Sequence, residues 1–275
     1  MPRVVVASFN VHGGVDGWGR PYDVVDACRR IGADILMLQE CWSPDDEVSL
    51  TDRVASELGY GAVELPFARG RIVPPPDDAT DRWSPRLWNR STCGIRLEGR
   101  RAASSDRRAA RSPAGLRVAP RGTWSISVLS KFPVTSSQTI DLGKLPTDPA
   151  RRGAIVVDVD LQGAASPLRV AGTHLAHLSQ GSPRHIARLR RALHALTPVP
   201  SVLAGDMNLW GPPLVLLFPG WSRAVRGRTW PTWLSRPVAQ PDHILVRGPA
   251  HVDSGEVLPV TGSDHLPVRA VLVID

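Results

Sequence analysis

The sequence predicts an α+β fold in which two β-sheets pack face to face with helices outside. Three observations lead there. Strand-like apolar runs outnumber helical ones, and many follow one another with no helix between, an order that suits a doubly wound parallel sheet less well. At 275 residues and 42% hydrophobic content the chain can bury one large core, and nothing in that length demands a second domain. A single domain over 1–275 is expected, with no repeat or heptad inside it.

Residues 3–9 form a β-branched run ending at Asn10-Val11-His12-Gly13-Gly14, which predicts a buried strand entering a tight loop. Over 21–31, Val24, Cys28 and Ile31 share a helical face, and 33–38 is a second buried strand ending in Gln39-Glu40. Ser43-Pro44-Asp45-Asp46 has the pattern of an N-cap, a first-turn proline and acidic first-turn residues. The helix it opens would bury Thr51, Val54, Ala55 and Leu58. From about 69 to 121 the chain turns Arg- and Pro-rich, with Pro74-Pro75-Pro76 and little periodicity, as expected of a long insertion. Strand patterns resume at 124–129, 134–140, 154–161 and 168–172. A helix at 185–196 turns Ile186, Leu189, Leu193 and Leu196 inward, with Arg184, Arg188 and Arg191 outward. Strands at 199–204, 243–246 and 266–274 close the domain.

Composition excludes some classes. Cys28, Cys41 and Cys93 are odd in number and irregularly spaced, so they suggest neither a disulfide framework nor paired zinc ligands. The N-terminus lacks the pattern of a signal peptide and no apolar run could span a bilayer, which points to a soluble cytoplasmic protein. The formal charge of +7 would suit a polyanionic partner. Only Lys131 and Lys144 are lysines, so the positive charge is almost all arginine. Arginine favours bidentate phosphate contacts, although codon bias in a GC-rich genome gives the same composition.

Polar residues interrupt the apolar strands at Asn10, Glu40, His174, Asp206 with Asn208, Asp242, and Asp264 with His265. All are expected at or just after a strand's C-terminal end, except the last pair, which precedes a strand; such ends can gather distant side chains into one pocket. Singly they have plain alternatives: Asn10 as a turn residue, His174 as a satisfied buried histidine, Asp264-His265 as a turn cap. Glu40 is harder to dismiss, because a carboxylate closing a buried strand must be paired or bind a cation.

Six stretches occur together: SFNVHGG from Ser8, DILMLQE from Asp34, GTHL from Gly172, GDMN from Gly205, PDHILV from Pro241 and GSDHLPV from Gly262. In content and order they resemble the endonuclease/exonuclease/phosphatase superfamily, which holds pancreatic-type deoxyribonucleases, apurinic-site endonucleases, inositol-polyphosphate phosphatases and bacterial sphingomyelinases. The resemblance implies a four-layer α/β/β/α sandwich of two mixed sheets flanked by helices. It implies Mg²⁺, with Mn²⁺ as an alternative, on the oxygen ligands of Asn10, Glu40 and Asp264. It implies that Asp206 positions or activates the attacking water and that Asn208 contacts the phosphate. His265 would be the proton-transfer residue oriented by Asp242, and His174 would hydrogen-bond a non-bridging oxygen. His12 stands where some members carry a second metal-binding carboxylate; a loop histidine is the plainer reading, so one ion is expected rather than two. Pro241 replaces a frequent aliphatic residue and leaves the register of Asp242 open.

The activity so implied is hydrolysis of phosphate esters, foremost as a phosphodiesterase on nucleic acid. A phosphomonoesterase or small-molecule or lipid phosphodiesterase is the alternative, and a non-catalytic phosphate-binding protein a third reading. Substrate choice would lie in Trp83, Trp88 and Arg100 to Arg111 of the insertion, in Trp210-Gly211-Pro212-Pro213, and in Trp230 and Trp233. A monomer without a membrane span is expected.

Overall fold

The computed structural model describes residues 1–17, 20–73, 94–97, 121–234, 236–259 and 262–275. Its strands, in chain order, begin with β1 (Arg3–Asn10), β2 (Ile35–Pro44), β3 (Gly61–Val73), β4 (Gly94–Leu97), β5 (Arg121–Ser130), β6 (Val134–Lys144) and β7 (Arg151–Val159). β8 (Leu168–His174), β9 (Ser201–Asp206), β10 (Ser222–Arg223), β11 (Asp242–Arg247), β12 (Ala250–Val257) and β13 (Val268–Ile274) follow. The helices are α1 (Val24–Ile31), α2 (Leu50–Leu58), α3 (Ser182–Ala195) and α4 (Gly211–Leu217). Among the described residues, one sheet runs β12-β13-β1-β2-β5-β3-β4 and the other β10-β11-β9-β8-β7-β6. Both are mixed: β1 with β2 and β8 with β9 pair in parallel, and the remaining pairs are antiparallel.

Strand alternation assigns the layers, because successive side chains leave opposite faces. In β1, Val4 and Val6 enter the core between the sheets, where they meet Met37, Ile126, Val157, Val170 and Val202. Ala7 and Phe9 point the other way, onto Val24, Cys28 and Ile31 of α1 and Leu50 and Val54 of α2. The second sheet does likewise: Val156, Ala171, Leu203 and Leu245 pack beneath Ile186, Leu189 and Leu193 of α3 and Leu214 of α4. The result is helix, sheet, sheet, helix, as expected. No helix among the described residues is long and apolar enough to cross a membrane.

Several boundaries differ from the sequence reading. Ser43 and Pro44 cap no helix; they end β2, where Pro44 faces Gly122 of β5. The cap is Ser49, whose Oγ accepts from Asp52 N at 2.9 Å. α1 starts after Asp23, which accepts from Asp26 N at 2.9 Å, rather than at Pro21. The span 69–121 is not wholly an excursion: β3 runs through its first residues to Val73, and β4 lies within it. Residues 74–93 and 98–120, with Trp83, Trp88, Cys93 and Arg100 to Arg111, lie outside the described residues. The prolines after Trp210 open α4 instead of continuing a loop, since proline at a helix start forfeits no intrahelical bond.

Candidate active site

The site is the continuation of the inter-sheet core at one edge. Val4 and Val6 lead to Asn10 along the inner face of β1, Val170 leads to His174 on β8, and Ala204 leads to Asp206 on β9. Register keeps them level. His174 faces Asp206 across the parallel pair, and Asp242 faces Asp206 across the antiparallel one. Asp242 therefore opens β11 rather than closing a strand, which corrects its expected placement and settles its register. Gly205 makes the approach possible: its φ is 146°, and a Cβ there would lie 1.9 Å from Thr173 O.

Glu40 arrives differently. It lies inside β2, not at the end of that strand, and simple alternation would put it on the helix-covered face with Leu36 and Leu38. The pairing of β2 with β5 slips between Gln39 and Cys41, leaving Glu40 as the extra residue of a β-bulge. Its φ of 58° is left-handed, and its Oε1 receives Asn10 Nδ2 at 3.1 Å. Two other residues of the cluster, His12 (φ 48°) and Asn208 (φ 50°), share that unusual backbone. Such conformations persist where the surroundings enforce them, often at functional sites.

Asp206 is the hub. Its Oδ1 accepts from Asn208 N at 2.8 Å and its Oδ2 from Asn10 Nδ2 at 3.2 Å. The Nε2 atoms of His174 and His265 lie 3.5 and 3.9 Å from Oδ2. The two imidazoles are backed by different groups. His265 Nδ1 donates to Asp242 Oδ2 at 2.8 Å, and Thr229 Oγ1 donates to the same oxygen at 2.5 Å. Among the described residues no carboxylate stands behind His174: its Nδ1 is buried with no partner, and the Trp124 ring packs edge-on against it at 5.2 Å. Asn208 Nδ2 donates to Leu175 O at 2.8 Å and lies 3.2 Å from His174 Nε2.

Charge follows from these neighbours. Burial alone would make His265 less basic, but Asp242, Asp264 and Asp206 outweigh it and hold the ring well above the ordinary histidine range. Burial holds His174 well below that range; Asp206 opposes this and Arg152 adds to it. Burial works against an ionised Asp206, yet His174, His265 and the Asn208 amide bring it below the usual carboxylate range.

Glu40, Asp206 and Asp264 bring carboxylates into this pocket, and among the described residues the ion-pair partners shown for them are all imidazoles, of His12, His174 and His265. An acid excess made of oxygen donors fits a hard divalent cation. Asp264 Oδ2 accepts Trp230 Nε1 at 3.2 Å, and its Oδ1 lies 3.6 Å from His12 Nδ1. Asn10 turns its nitrogen to Glu40 and Asp206, while its oxygen accepts His12 N at 3.0 Å. Its amide would have to rotate to offer oxygen. A second grouping, Asp206, Asp242 and His265, offers ligand atoms within 4.8 Å of one another. Of these, Asp242 Oδ2 and His265 Nδ1 are joined to each other, while Asp242 Oδ1 is buried with no partner among the described residues.

All eight residues singled out from sequence converge here. Sequence reasoning missed Thr229, Trp124, Ser263, and the buried pair of Arg152 with Asp148. Ser263 Oγ donates to Asn10 O at 2.6 Å and so ties the Asp264 loop to the end of β1. An arginine opening the apolar run 153–157 was the available signal for Arg152.

The Endonuclease/Exonuclease/phosphatase family model matches residues 7–265. No curated protein matches the chain. Among solved structures, an endonuclease/exonuclease/phosphatase from Beutenbergia cavernae is 21% identical with a TM-score of 0.65, covering 100% of this chain and 72% of its own. The human Nocturnin catalytic domain with bound sulfate is 17% identical with a TM-score of 0.66, covering 100% and 94%. A mannosyl-6-phosphatase from Bacteroides thetaiotaomicron is 16% identical with a TM-score of 0.63, covering 98% and 100%. These likenesses are likenesses of fold.

Proposed function

The chain belongs to the endonuclease/exonuclease/phosphatase family, and from that premise we propose that it is a Mg²⁺-dependent phosphoester hydrolase, acting first as a phosphodiesterase on nucleic acid. The observation that carries the reading is the Asp206 carboxylate held between two buried imidazoles, one of them paired with Asp242. Glu40 and Asp264 would hold one ion, joined by Asn10 once its amide turns. A bound cation would supply positive charge to offset the negative charge that develops on the phosphoryl and leaving oxygens.

The protein's own groups supply the rest. Asp206 orients the attacking water on the face opposite the leaving group. His265 takes or returns a proton, and Asp242 steadies its charged form. His174, kept neutral, donates to a non-bridging oxygen beside Asn208, where negative charge builds. Water attacks phosphorus in line, with no covalent enzyme intermediate. Nucleic acid is favoured by the aromatic rim: Trp230 and Trp233 stand edge-to-face at 5.6 Å beside Asp264, and Trp210, just past Asn208, is 56% exposed. Indoles stack on bases of any sequence. The fold likeness to a mannosyl-6-phosphatase favours the competing phosphomonoester reading.

DNA, RNA, bis-p-nitrophenyl phosphate and phosphomonoesters incubated side by side test this. Cleavage of a diester with Mg²⁺, lost on chelation and lost in Asp206→Ala and His265→Ala, is the expected result. Release of inorganic phosphate from monoesters alone would transfer the assignment to a phosphatase. Ligand affinity without turnover in any arm would leave a binding protein.

A further inference from the structure

The two active-site imidazoles are anchored from behind by different means. His265 is held from behind by Asp242. Among the described residues His174 Nδ1 has no hydrogen bond, and only its Nε2 end is held, with Asn208 Nδ2 at 3.2 Å, so packing and the backbone must fix the back of the ring.

We infer that Arg152 is a positioning residue for the reaction, acting through His174 with Asp148 and Trp124 as its supports. The inference rests on the phosphoester-hydrolase reading above. Arg152 Nη1 donates to His174 O at 3.4 Å. Its guanidinium lies over the Trp124 ring at 4.8 Å, and that ring is the one packed edge-on against His174. Arg152 thus holds His174 by the backbone and supports the indole that bounds the imidazole. The guanidinium is itself locked: Nε and Nη2 donate to Asp148 Oδ2 and Oδ1 at 2.7 and 3.3 Å, a fork that lysine cannot reproduce. Asp148 is fully buried and also accepts Ala150 N at 3.0 Å, so the pair clips the β6–β7 connection onto the start of β7. Nε, Nη1 and Nη2 are all engaged and the side chain is 6% exposed, an arrangement suited to holding protein and not to gripping substrate.

A kinetic double-mutant cycle on the full chain tests this, with bis-p-nitrophenyl phosphate and Mg²⁺. Arg152→Met should lower kcat by about 10- to 100-fold with KM within about threefold, since a small misplacement of a reacting group costs on that order. Arg152→Lys should recover only part of the loss. In a His174→Ala background the same Arg152→Met change should alter kcat less than about twofold, because residues acting through one another are non-additive. Equal losses in both backgrounds would mean that Arg152 acts on substrate directly and would overturn the inference. So would unchanged kcat with lowered thermal stability, the mark of a structural ion pair. If Arg152→Met does not fold, Asp148→Asn, which loosens the fork, takes its place in the cycle. Imidazole ¹H–¹⁵N spectra of the metal-free protein give a readout without turnover: the His174 ring signals should shift in the variant and those of His265 should stay. Unmoved His174 signals overturn the inference even if no substrate is cleaved, whereas absence of turnover alone counts against the hydrolase reading.

Discussion

His174 and His265 reach toward the same oxygen of Asp206, yet buried negative charge surrounds one while Arg152 adds to the burial of the other. Their protonation therefore diverges at neutral pH, which is how one pocket can offer both a proton shuttle and a neutral donor. The sign for His265 follows from its proposed role. It must be neutral to accept a proton, and its pKa is raised, so kcat should climb with pH through an inflection above the ordinary histidine value of about 6.5. Asp242→Asn removes the largest of the effects that raise it, so the inflection should move to lower pH while kcat falls roughly 10²-fold or more. A pH series of initial rates on both proteins checks this, and an inflection that stays in place would separate Asp242 from the function of His265.

The β2 bulge carries the clearest prediction at the level of elements. A left-handed glutamate costs about 1–2 kcal/mol that glycine does not, and Glu40 also adds like charge near Asp206. Glu40→Gly should therefore unfold at higher urea, by about 1 kcal/mol, while losing hydrolysis and Mg²⁺ affinity together. Calorimetric titration with Mg²⁺ and urea unfolding measure the two; a variant both less stable and unaltered in Mg²⁺ binding would refute the strain argument. The bulge also shows where sequence reading ends. Asn10, His174 and Asp206 were legible because each follows an apolar strand that stops where the chemistry begins. The side to which Glu40 turns was not, because a bulge leaves no mark on alternation. β3 was hidden for a similar reason: Pro66 resembles a breaker, but it sits where the pairing with β5 slips, between Pro66 and Ala68, a place where a strand tolerates proline. β12 was missed because its residues are almost all exposed, so no inward stripe betrays it.

The assembled molecule should be sensitive to acid. His243 is fully buried on the outer face of β11, with Nε2–H donating to Leu209 O at 2.8 Å and Nδ1 unpartnered. Burial pushes its pKa down to about 4, so between pH 6.5 and about 4 the unfolded chain takes up a proton that the folded one refuses. Stability present above pH 6.5 is lost across that window, by about 3 kcal/mol for this residue. Urea midpoints recorded in chelator at pH 7.5 and 5 should fall more steeply for the natural protein than for His243→Gln, and parallel decline would discount His243. The pairing of β1 with β13 has a different consequence, one of timing. Arg3 lies opposite Val273, and all the strands of the six-stranded sheet are made between these partners. Asp264 and His265 precede β13 and gain their places only when it docks beside β1. A folding chain can bury most of its core before β13 pairs with β1, but Asp264 and His265 join the other site residues only when it does. Docking of β13 thus completes the site, and any activity recovered on refolding should lag behind the burial of the apolar layers.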